Sequence, residues 1–94
     1  MKLRWTKAAR RDRELVYAYV EADNPQAALE LDDRFEDRAT QLAELPNLGR
    51  TGRVTGTREL SISGSSYLLV YRIENDLVWI IRVIHSARTW PEGN

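Results

Sequence analysis

Arg58 to Pro91 reads RELSISGSSYLLVYRIENDLVWIIRVIHSARTWP, and this stretch decides the fold. It holds three consecutive runs rich in Val, Ile, Leu, Tyr and Trp, residues that suit a pleated, half-buried surface. The second and third are long and separated by Glu74-Asn75-Asp76, which predicts a β-hairpin. Arginines stand inside these runs. A charge buried unpaired in a sheet is costly, so it must reach the rim, find a carboxylate or face something anionic. Arg72, Arg82 and His85 are therefore candidate functional residues. Which of them share a face depends on the turn, because side chains alternate along a strand. A two-residue turn at Asn75-Asp76 pairs Glu74 with Leu77 and Arg72 with Trp79, placing Arg72, Trp79, Ile81 and His85 together and Arg82 opposite. A three-residue turn places Arg72 with Arg82.

Upstream of this stretch lies a loop, Pro46-Asn47-Leu48-Gly49-Arg50-Thr51-Gly52-Arg53, punctuated by glycines and arginines. It matches neither G-x-x-x-x-G-K-[ST] nor a G-x-G-x-x-G turn after a strand, which excludes a nucleotide-binding enzyme of those types. Before it, Ala28, Leu31, Phe35, Ala39 and Leu42 recur every three or four residues, predicting a helix with one apolar face that runs to about Leu45. Asn24 caps that helix, and Pro25 occupies the first helical position, where its missing amide hydrogen costs nothing. An earlier helix begins after Thr6 and runs to about Asp23, with Leu15, Val16, Tyr19 and Val20 expected on its buried side. Lys2 to Trp5 alternates as a short strand. The expectation is an α+β domain, β-α-α-β-β-β, with a helical hairpin packed on a four-stranded, mainly antiparallel sheet. Residues 1–91 form that single domain, and 92–94 are expected to be a disordered tail.

Composition narrows the function classes. Without cysteine there is no disulfide framework or thiolate metal site, and one histidine does not build a metal centre alone; no metal or cofactor is implied. No signal-like or membrane-length apolar segment is present, so a cytoplasmic protein is expected. Twelve arginines stand against two lysines, a choice that favours planar recognition of carboxylate or phosphate.

The order of these phrases resembles the RelE/ParE superfamily of toxins from bacterial toxin-antitoxin modules. The resemblance covers nearly the whole chain. It rests on Trp5-Thr6 with Ala8, Ala9 and Asp12; Asn24-Pro25 with Ala27-Ala28; Leu45-Pro46 through Gly49-Arg50; Gly56-Thr57-Arg58-Glu59-Leu60; Tyr67 through Arg72; and Ile81-Arg82-Val83-Ile84-His85 before Trp90-Pro91.

That resemblance implies one of two activities. RelE-like members cut messenger RNA on the ribosome, which requires proton carriers and cations for the developing charge. Many hold the phosphate with an arginine in the third strand, where this chain has Leu68. Arg72 lies four residues further, on the same face but roughly 13 Å along the strand. Tyr71-Arg72-Ile73 followed by Ile81-Arg82-Val83-Ile84-His85 looks more like the ParE branch, whose members poison DNA gyrase by binding it. On that branch the chain is not an enzyme, and Arg58, Arg72, Arg82, His85, Arg88 and Trp90 are the expected target-binding residues. The alternative, an mRNA endoribonuclease acting with ribosome and mRNA, would use His85, Arg82, Arg58 and Arg53. The resemblance also implies a cognate antitoxin as partner in a hetero-oligomer. Tyr17, and Leu68 and Val70 if their sheet face is open, are the expected antitoxin contacts.

Overall fold

Thr6 and Asn24 each start a helix by accepting a hydrogen bond from the backbone amide three residues on, Ala9 N–H at 3.0 Å and Ala27 N–H at 3.1 Å. These caps satisfy amides that the first helical turn leaves without partners. In the computed structural model, which describes residues 1–88, 90 and 91, the order is β1 (Lys2–Trp5), α1 (Lys7–Glu21), α2 (Pro25–Glu44), β2 (Arg50–Thr51), β3 (Arg58–Ser61), β4 (Tyr67–Glu74) and β5 (Leu77–His85). The tail expected at 92–94 lies outside the described residues. No described helix is long and apolar enough to cross a membrane.

The strands form one sheet in the order β1-β5-β4-β3-β2, with β1 parallel to β5 and every other pair antiparallel. It has five strands rather than the expected four. The addition, β2, is two residues of the glycine-punctuated loop paired on β3, too short to carry a period of its own.

The stripe on α2 packs as its spacing predicts. Ala28, Leu31, Phe35, Ala39 and Leu42 are all buried, and most of them meet Leu60, Leu69, Tyr71, Val78, Ile80 and Val83 of the sheet. Helix α1 departs from expectation. Ala9 is buried and Val16 and Val20 pack on the core, but Leu15 is 55% and Tyr19 78% exposed. The inner stripe follows Ala9, Asp12, Val16 and Val20. Leu15 and Tyr19 each lie one residue off it, about 100° around the helix.

The hairpin turn has two residues, with Glu74 opposite Leu77 and Arg72 opposite Trp79. A β-bulge then changes the parity. Tyr71 pairs with Ile80 while Val70 pairs with Arg82, so Ile81 is the extra residue. Beyond the bulge every β5 side chain changes face relative to a regular strand. Arg82 thereby joins the face of Arg72, and His85, opposite Tyr67, turns to the helix side, the reverse of the grouping a regular two-residue hairpin gives.

Candidate functional site

The sheet face turned away from the helices carries the candidate site. Arg50 lies opposite Glu59, Glu59 opposite Val70, and Val70 opposite Arg82, so one row crosses four strands. Beside it Leu68, Val70 and Ile84 form a small apolar cluster against which Trp90 packs. Leu68 is 2% and Val70 0% exposed. Both side chains are covered, so the open face on which their expected antitoxin contact depended is not found at these two positions.

Glu59 organises one end of the row. Its side chain is only 1% exposed. It accepts the Arg53 amide at 3.0 Å, Arg53 Nε at 3.2 and 3.3 Å, and Arg50 Nη2 at 3.1 Å. Burial opposes ionisation of this carboxyl, but the Arg53 amide and the two guanidinium groups outweigh it and hold the carboxyl below the usual glutamate range. Arg53 also donates to the Arg88 carbonyl at 3.2 Å, tying the loop to the C-terminal segment.

Asp12 organises the other end. Its carboxylate accepts Arg82 Nε at 2.7 Å and Nη2 at 3.1 Å, and its Oδ2 also accepts the Val83 amide at 2.9 Å. The Arg82 guanidinium stands 5.7 Å from the Trp90 ring centre, within cation–π range. The loop bearing the arginines is fixed from below by Tyr71, whose hydroxyl accepts the Gly49 amide at 2.8 Å and donates to the Pro46 carbonyl at 2.7 Å. Only glycine fits at position 49, because a Cβ there would meet the Tyr71 ring and hydroxyl at 2.7 Å. Arg58 then donates to the Gly49 carbonyl at 2.7 Å.

Arg58 and Arg72 line one cleft of about 330 Å³ with Asn47, Thr51 and Ile73. Arg72 is exposed and pairs loosely with Glu74 at 3.4 Å. His85 lies elsewhere. Its ring stacks edge-on to Tyr67 at 5.4 Å, its Nδ1 accepts the Ala87 amide, and it lines a cleft of about 200 Å³ with Leu15, Val16, Tyr19 and Arg88. Thus His85, Arg82, Arg58 and Arg53 do not converge; each is held by a different partner. Tyr17, expected on the far side of α1, instead borders a cleft toward α2 with Arg10, Arg13 and Asp32. There Arg13 bridges Asp32 at 2.6 Å and Glu36 at 3.1 Å and lies over the Trp5 ring. Burial acts to lower the Arg13 pKa, but the two carboxylates raise it on balance.

Asp12 and Glu59, the carboxylates that position these arginines, escaped the site reading of the sequence. For Glu59 a signal existed: an acid inside a strand run, two residues before Ser61, carries the same burial cost that singled out Arg72. Asp12 gave no such signal, being an ordinary helical acid until α1 meets β5. Among the described residues no group of His, Asp and Glu could hold a metal ion.

A family model described as the ParE toxin of the type II toxin-antitoxin system parDE matches residues 3–90. The chain is 40% identical over 91 residues to a Sinorhizobium fredii protein named as a toxin, Y4kP, covering 97% of this chain and 94% of that one. It is 34% identical over 84 residues to toxin RelE2 of Caulobacter vibrioides, covering 89% and 93%. Its fold is similar to a chain of the chromosomal ParDE system from P. aeruginosa, with a TM-score of 0.82 at 23% identity over 90% of this chain and 95% of the other.

Proposed function

This chain belongs to the ParE toxin family of type II toxin-antitoxin systems, and we propose that it arrests growth by binding DNA gyrase in the cytoplasm and blocking replication, without chemistry of its own. The observation that carries this reading is the dispersal of the groups a nuclease would need. Arg82 is held by Asp12, Arg53 by Glu59, and Arg58 by a backbone carbonyl, while His85 faces the helix side of the sheet. Leu68, where the resemblance puts a nuclease arginine, is buried under Trp90.

In this reading the target meets the far sheet face and its rim. Arg58 and Arg72 share a cleft at the rim, Arg82 stands with Trp90 on the far face, and Arg88 lines the cleft of His85; arginine and tryptophan are the residue types that most often dominate interfaces. His85, on the other face, would belong to a second contact. A cognate antitoxin binds the toxin in a hetero-oligomer, with Tyr17 in the cleft between the helices as one contact.

A ribosome-dependent mRNA endoribonuclease is the second reading, favoured by the shared cleft of His85 and Arg88. One experiment separates the two: purified protein assayed in parallel for inhibition of gyrase supercoiling and for cleavage of ribosome-bound mRNA. Inhibition with intact mRNA is expected. Cleavage within codons, with gyrase unaffected, overturns the reading.

A further inference from the structure

Away from the sheet face described above, α2 and the turn between β3 and β4 enclose an open cleft of about 630 Å³ lined by Arg34, Arg38, Asp37, Gln41 and Ser63. Arg34 and Arg38 are four residues apart, so both guanidinium groups leave the same side of the helix. Two like charges so placed repel one another unless an anion lies between them. Among the described residues Arg34 forms no ion pair, and Asp37, in the same wall, bridges to neither arginine.

The arginines are oriented rather than loose. Arg38 donates from Nη1 to Gln41 Oε1 at 2.9 Å and from Nη2 to the Ser61 carbonyl at 3.3 Å. Its Nε is buried and has no acceptor, so the guanidinium is held in place at some cost in stability. Arg34 lies against Gly64, where φ is +75° and a Cβ would come within 3.1 Å of Arg34 Nη1. A side chain at position 64 would crowd this guanidinium and shift it by a few tenths of an ångström.

We propose that this cleft is a carboxylate-binding site that takes an acidic side chain of a partner polypeptide. A guanidinium pair offers planar forks that match carboxylate oxygens. A nucleic acid fits poorly, because α2 also presents Glu30, Asp33, Glu36 and Asp37, and a phosphate backbone would bring a charge roughly every 3.4 Å along each strand against that acidic surface. A single carboxylate between the arginines avoids that conflict.

The test is a titration of the full chain with a capped peptide carrying one glutamate among neutral residues, followed by NMR of the arginine Nε–H signals. Saturable shifts of Arg34 and Arg38 are expected, together with binding about tenfold weaker in Arg34→Gln, a loss in keeping with one charge-assisted bond. Arg34 is exposed, so that variant should keep the parent amide spectrum. Gly64→Ala should weaken the same binding. Unmoved Arg38 Nε at peptide saturation, or equal binding by Arg34→Gln, overturns the proposal. So does a DNA duplex that shifts the same signals at lower concentration than the peptide.

Discussion

Asp12 on α1 grips Arg82 on β5 through two oxygens, at 2.7 and 3.1 Å, and one of those oxygens also takes the Val83 amide. One carboxylate thus fixes a helix to a strand edge and holds a candidate target-binding arginine beside Trp90. Asp12→Ala removes two hydrogen bonds from a mostly buried guanidinium and the acceptor of an edge amide, an expected loss of about 2–4 kcal/mol. Urea denaturation measures it, and an unmoved midpoint would show that the pair contributes no net stability.

Glu59 should give a pH dependence of known sign. Its pKa in the folded chain lies below its unfolded value, so its contribution is complete above the unfolded value of about 4.3 and fades as the pH falls through the lower folded value. Glu59→Gln should be less stable than the parent at neutral pH, with the gap narrowing on acidification. A gap that stays constant from pH 7 to about 3 contradicts the assignment.

Tyr71→Phe removes one hydroxyl that both accepts from Gly49 and donates to Pro46. Two backbone groups lose their partner, with an expected cost of about 1–3 kcal/mol. Amide exchange at Gly49 should accelerate more than at Leu69 in the adjoining strand, which local opening of the arginine loop requires.

His85→Ala tests whether the imidazole does chemistry. The residue is exposed, so its removal should change stability by no more than about 0.5 kcal/mol. Growth arrest on expression should persist. Complete loss of toxicity with an intact fold would put the nuclease reading first.

Arg72→Glu should leave the fold intact, since among the described residues its one ion pair is the exposed, loose one to Glu74. If Arg72 is a hot spot of the proposed gyrase contact, its loss costs about 2 kcal/mol or more, and gyrase inhibition should weaken by tenfold or more. An unchanged inhibition curve would move the target surface away from the cleft shared by Arg58 and Arg72.

The chain's periodicities were sufficient for its architecture. The stripe from Ala28 to Leu42, the caps at Thr6 and Asn24 and the long runs of β4 and β5 act within one or two turns or strands, and each formed as the local pattern requires. The same reasoning misplaced Leu15 and Tyr19, because α1 is too polar for its apolar residues alone to mark the buried side; contact with β5 at Asp12 chose it.

Sequence by itself therefore determined the element order apart from β2, the helix caps, the existence of the hairpin and the superfamily resemblance, all properties of neighbours along the chain, while the hairpin's two-residue turn came from the folded register. Tertiary structure decided which cations are available. The bulge at Ile81 set the face of Arg82 and His85, and carboxylates distant in sequence, Asp12 and Glu59, claimed Arg82, Arg50 and Arg53. Strand alternation is a local rule that one extra residue reverses, and ion pairing depends on distances that exist only after the chain has folded.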